Sequence, residues 1–296
     1  MGAVSAAIAS SFQAEDGEIR TDAEVDQILV KGGRAVGVAL VGGEEIQANT
    51  VISNLDAKRT FLNIMDRKDL PEHVVQRAEN FKIRGSSGKV NIALDGLPDF
   101  PALPPQSPLT LGHIHFTDTL ERLERAYDNW KDDCWSKDPY VDLVIPSQYD
   151  PTLAPPGKHM MSVFVQYCPV KPEGGWTDQK RDAFGATVIN QISDYSPNFK
   201  DLLLHAEVRT PKEIEDEVGL TEGNIFQGEL TLDQLMFNRP FPGYARYRGP
   251  VKGMYMCSSS THPGGGVMGA PGTNSAREIL TDLKRRDTTP EDFGDD

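Results

Sequence analysis

Apolar residues recur along the chain at two periods, and the changes of period mark its elements. Val4, Ala7, Ile8 and Phe12 fall at helical spacing, which predicts a helix from the first residues with that face buried. Alternation then takes over at 17–21, 24–30, 35–41, 45–47 and 50–53, broken by Gly32-Gly33 and Gly42-Gly43, and predicts strands joined by tight turns as a β-meander. Beyond residue 57 helical and strand patterns mix. Helices are expected at 58–65, 71–81, 119–131 (Leu120, Leu123 and Tyr127 inward) and 176–195 (Phe184, Val188, Ile189 and Ile192 inward), with strands at 88–94, 109–116, 140–145 and 159–167. Thr210 followed by Pro211 is a helix start, a capping hydroxyl before a residue whose missing N–H costs nothing there. The proline-rich stretch 97–108 can be neither helix nor central strand. Near the end, 253–257 reads as a short buried strand. A last helix starts at Pro271, with Ala276, Ile279, Leu280 and Leu283 as its apolar face and Lys284, Arg285 and Arg286 at its negative end.

A chain of 296 residues can bury a large core, and neither repeats nor low-complexity blocks divide it. The formal net charge of −14 argues against nucleic acid or an anionic membrane surface as partner. Cys134, Cys168 and Cys257 are odd in number and widely spaced, which makes neither a disulfide framework nor a zinc pattern and suits a reducing compartment. With no membrane-length apolar run and no charged flank for a secretory signal, a soluble, cytoplasmic protein is expected.

The chemistry concentrates between the last strand and the last helix. From Gly264 the chain runs Gly-Gly-Gly-Val-Met-Gly to Gly269, and strand, glycine loop and helix together make an anion site, because free N–H groups at a helix start point at negative charge. Read literally, the run satisfies the G-x-G-x-x-G dinucleotide fingerprint. That fingerprint needs a second strand ending in an acidic residue about 20 positions on, and here only one helix and a charged tail follow. His262, before Pro263 at the mouth of the loop, either hydrogen-bonds a ligand or holds the turn. Cys257, without a nearby partner, reads as an inert thiol rather than a redox one. His113 and His115 share one face of a strand, as metal ligands can, but no third ligand stands at a persuasive spacing. A zinc hydrolase joining this pair to His159 or His205 is the reading from a different class; structural histidines are the plainer one.

The segment from Gly253 through His262 and Gly269 to Leu280 resembles the C-terminal flavin motif of the phytoene-desaturase-like FAD oxidoreductases, with Ser258 where that family commonly has glycine. The run from Ser53 to Asp56 resembles the family's Ser-Asn-x-Asp exit from the cofactor domain, and 219–235 with 239–248 resembles its return from the substrate domain. The resemblance implies FAD as cofactor. It places cofactor contacts at Val25 (by its backbone, to adenine), Ser259, His262, Gly265, Gly266, Val267, Met268 and Gly269, with Tyr244 and Tyr247 facing substrate. It also implies that Met1-Gly2 is the end of a Gly-Gly-Met-Gly approach, so that a Rossmann unit is expected to precede this segment.

The expectation is therefore an α/β fold of α+β texture. A partial FAD-binding domain, 1–57 with 248–288, would carry the β-meander; 58–247 would be a mixed-sheet substrate domain of the glutathione-reductase/amine-oxidase-like type; and 289–296 would be a disordered acidic tail. By the same resemblance the activity would be hydride transfer between a small apolar, isoprenoid-like substrate and flavin, with the chain alone inactive. The contrasting expectation is a non-catalytic remnant serving as a binding or assembly module, as a homo-oligomer or with a missing N-terminal part.

Overall fold

The computed structural model describes residues 2–104 and 107–288. Met1, Pro105 and Gln106 of the proline-rich loop, and the tail expected at 289–296 lie outside the described residues. The first segment holds α1 (Gly2–Ala14), β1 (Val25–Lys31), β2 (Arg34–Leu40), β3 (Glu45–Gln47) and β4 (Val51–Ser53). β1, β2 and β3 form the meander, antiparallel throughout. Residues 17–20, expected as a strand, are irregular; Asp16 and Asp22 bracket them at positive φ, and Arg20 is fastened by ion pair to Glu44.

The middle of the chain forms α2 (Glu72–Glu79), β5 (Ser87–Leu94), β6 (Ile114–His115), α3 (Leu120–Lys131), β7 (Tyr140–Val144), β8 (His159–Gln166), α4 (Asp178–Tyr195), α5 (Phe199–Leu202), β9 (Leu203–Arg209) and α6 (Pro211–Val218). Its five strands lie in the order β6-β7-β8-β5-β9, every neighbour antiparallel. Alternation sends Val90, Ile92, Leu94, Val141, Leu143, Met161, Val163 and Val165 to one face, where Phe184, Val188 and Ile192 of α4 cover them. The other face carries Lys89, Asn91, Asp142, Ser162 and Phe164 and is only half covered. Thr210 caps α6 in a reciprocal capping box with Glu213, and Pro211 takes the first turn as expected.

Several expected elements are trimmed by packing. The helix expected at 58–65 is one π-type stretch, Arg59–Asn63. Of the strand expected at 109–116 only Ile114–His115 pairs, because the preceding residues coil into a 3₁₀ turn capped by Ser107. α3 buries Ala126 and Trp130 while Leu120 stands in solvent, since the Trp130 indole N–H reaches the Gly85 carbonyl and sets the helix rotation.

Towards the end come β10 (Met254–Met256) and α7 (Ala270–Thr288). β10 does not extend the meander. It pairs in parallel with β4, joining the two ends of the chain through Val51, Ile52 and Ser53 against Met254, Tyr255 and Met256. A second core, with Ile28, Phe61, Val74, Val75, Phe241, Val251 and Met254, forms around this pair. α7 turns Pro271, Ser275, Ile279 and Asp282 inward, so the expected face of Ala276, Leu280 and Leu283 is mostly exposed. The deciding contact is polar: buried Asp282 accepts a two-pronged hydrogen bond from Arg248 and one from the Tyr255 hydroxyl. The expected buried face of α1 is also open, with Ile8 66% exposed and Val4 and Phe12 similar.

Candidate functional site

Parallel strands present their C-terminal ends on one side, where α/β proteins form ligand crevices. Here β4 runs into Asn54 and Leu55, and β10 runs into Cys257 and the Ser258–Thr261 turn, with the Cys257 N–H donating to the Ser53 carbonyl. That turn is a polar knot. Ser258 Oγ accepts from the Ser260 N–H, Thr261 Oγ1 donates to the Ser258 carbonyl, the Ala57 N–H donates to Ser260 Oγ, and Ser260 Oγ donates to the Gln227 carbonyl. Ser258, where the resembled family has glycine, is thus wholly buried and caps its own turn.

Beneath the knot lies Arg239, 0% exposed. Its guanidinium donates to the carbonyls of Phe226, Gly228, Glu229, Gln234 and Ser259, and among the described residues it meets no carboxylate. Burial pushes it down to about 10, which still leaves it a cation at neutral pH. It ties the 226–234 loop to the base of the glycine loop. A lone arginine among apolar neighbours carries no periodicity, so the sequence pattern did not expose it.

The glycine loop rises from this base. Gly264, Gly266 and Gly269 sit at φ of 104°, 128° and 63°, where a side chain would be strained, and a Cβ on Gly265 would meet the Phe226 ring at 2.2 Å. The Gly264 N–H is spent on the Thr261 carbonyl, whereas those of Gly265, Gly266, Val267 and Met268 donate to no acceptor among the described residues. Val267 is 81% exposed and Met268 also stands clear. The loop therefore offers consecutive free N–H groups just before α7, whose helical dipole adds positive potential. His262 is exposed, and its carbonyl accepts from the Tyr247 hydroxyl, which in turn accepts from Asn274 on α7.

The structure brings the remaining residues together unevenly. Val25 lines a cleft of about 530 Å³ with Ile28, Val38, Ile52, Asn54 and Arg59, at the end of β4 and apart from the glycine loop. The Ser259 backbone is consumed by Gln227 and Arg239. Tyr247 is buried and holds the His262 turn, so its hydroxyl is committed to structure. Tyr244 packs on Phe241 and meets the His73 ring nitrogen at 3.2 Å. Cys257 is half buried, and burial pushes its thiol up. His159 is engaged with Ser147 at the far end of β8, and His205 stands on β9; neither joins His113 and His115. A larger hollow of about 600 Å³ beside α3, lined by Arg122, Trp135 and Lys180 among others, holds none of the expected cofactor or substrate residues.

One parallel strand pair thus closes the two ends of the chain, with a glycine loop before the final helix. The sequence profile of flavin containing amine oxidoreductase matches residues 1–280. The chain belongs to that family. Among relatives of this flavin family, the rat pyridine nucleotide-disulfide oxidoreductase domain-containing protein 2 is 42% identical over 96% of this chain and 50% of its own length. The neurosporene-forming phytoene desaturase of Cereibacter sphaeroides is 25% identical over 96% of this chain and 52% of its own. Among solved structures, cyclohexylamine oxidase from Brevibacterium oxydans superposes with a TM-score of 0.54 at 13% identity, covering 94% of this chain and 51% of that one; this likeness supports the α/β flavin-oxidoreductase fold. The chain spans about half the length of the curated relatives it matches.

Proposed function

We propose that this chain supplies the flavin-ring and substrate-facing part of an FAD-dependent oxidoreductase acting on an apolar, isoprenoid-like substrate. The run of unspent N–H groups from Gly265 to Met268, held open on a rigid base at the start of α7, carries the proposal. The residues fit the group: glycines permit close approach, the backbone supplies donors, and the exposed Val267 and Met268 offer apolar contact for a ring. When bound, FAD supplies the hydride-accepting chemistry. The chain's own part is to orient the ring edge, to favour negative charge there through amides and helix dipole, and to exclude water. His262 and Ser259 would flank the ring, Gly269 would let the chain turn into α7, and Val25 would meet the adenine end from the β4 cleft.

In this reading 1–57 and 248–288 act as one cofactor-side unit through the β4–β10 pair, and 58–247 is the substrate side. Among the described residues no helix is long and apolar enough to cross a membrane. A second reading, a binding or assembly module, is favoured by one observation, the open apolar face of α1.

Titration of the purified chain with FAD, followed by flavin fluorescence, separates the two. Saturable binding that Gly265→Ala weakens by about tenfold or more, through the clash with Phe226, is the expected result. Absence of binding across the titration overturns the cofactor reading for this chain and leaves the module.

A further inference from the structure

The half-covered face of the five-stranded sheet holds a second constellation, unrelated to the flavin reading. β6 and β7 pair with His115 directly opposite Asp142, and the two-residue period sets His113 on the same face. Their ligand atoms converge: His113 Nδ1 and His115 Nδ1 lie 2.8 and 3.9 Å from Asp142 Oδ1, and one ligand atom from each of the three residues falls within 4.8 Å of the others. The two imidazoles are already stacked, 6.1 Å apart and 16° from parallel.

We propose that His113, His115 and Asp142 form a binding site for a borderline divalent first-row cation such as Zn²⁺. Zinc bonds of about 2.0–2.2 Å at tetrahedral angles place neighbouring donor atoms about 3.3 Å apart, and the observed separations from Asp142 bracket that spacing. Two imidazoles and one carboxylate are a donor set that such cations take, and they leave at least one coordination position for water or a ligand. The ligands stand on strands whose alternate residues, Val141 and Leu143, are wholly buried, so the backbone that spaces them is rigid. The Tyr140 hydroxyl lies 2.6 Å from His115 Nδ1 and is the group a cation must displace. The third ligand comes from across the sheet at a sequence distance of 29 residues from His113, which is why spacing along the chain did not reveal it.

The test is calorimetric titration of the chelator-treated full chain with Zn²⁺, with Co²⁺ absorption reporting coordination. The expected result is one equivalent bound, with affinity falling more than about tenfold in His113→Gln and in Asp142→Asn. Circular dichroism checks that the variants stay folded; the exposure of His113 makes its substitution the safer of the two. No binding by the unaltered chain, or one equivalent retained at equal affinity in a His113→Gln, His115→Gln double variant, overturns the proposal; the latter would assign the ion to scattered surface carboxylates. None of these readouts depends on FAD, so the outcome is separate from that of the flavin titration.

Discussion

Arg239 brings a positive charge into an interior where, among the described residues, only carbonyl oxygens answer it. Its five planar donors suit a ring of carbonyls that a lysine could not span. Arg239→Met would strand those carbonyls and is expected to cost at least about 3 kcal/mol, read as a lower urea midpoint; Arg239→Lys should fall between. Lys89 poses the opposite problem. It is half buried on the open sheet face with its ammonium against Ser162, and burial pushes it below its ordinary 10.5 despite attraction from Asp142. A lysine with a depressed folded value destabilises the fold while both states are protonated, and that handicap fades as pH rises from the depressed value towards 10.5. Lys89→Met is therefore expected to raise the thermal midpoint at pH 7, with the advantage narrowing towards pH 10.5 in a pH series of melting curves. The inertness of Cys257 was legible in the sequence, and burial pushes its thiol up; the pattern does not separate Cys168, buried with its thiol pushed far up, from exposed Cys134. Arg239 and the Arg248–Asp282 pair were not, because a single polar residue that makes long-range contacts leaves no period to read.

At the level of elements, patterns that repeat were read well and patterns that depend on a neighbour were not. The meander, β5, β8, α4 and the capping box of α6 follow from local alternation, helical spacing and cap chemistry. The rotation of α7 does not. Four apolar residues marked one face, yet Arg248 and Tyr255 draw Asp282 inward and carry Ile279 with it, leaving Leu280 and Leu283 outside. By sequence alone β4 likewise continues the meander, because three strand residues cannot say which partner they will meet; the partner is β10. The glycine loop was legible as a glycine-rich run leading into a helix, but its free N–H groups at 265–268 follow only from the Thr261 turn, which takes that of Gly264.

Taken whole, the molecule has two buried cores and, outside them, several apolar residues left without cover. Ile8 and Phe12 on α1, Ile52 on β4, Val267 and Met268 in the glycine loop and Leu280 on α7 are all exposed. Exposed apolar surface of this kind drives association. At tens of micromolar the chain is expected to sediment as a mixture heavier than a monomer, and Ile8→Glu with Leu280→Glu to shift it towards the monomer without loss of helix signal; an unchanged profile would assign these faces no role in self-association.

The parallel strand pair has a consequence for biosynthesis. Ala57 reaches its partner hydroxyl on Ser260 across 203 positions, so the amino-terminal strands must wait, unclosed, while the entire antiparallel sheet is being translated. At about 5–20 residues per second that wait lasts on the order of tens of seconds, long enough for a chaperone to occupy β4 before β10 leaves the ribosome. Production of this protein would then be governed less by its final stability than by how well the cell guards an unfinished seam.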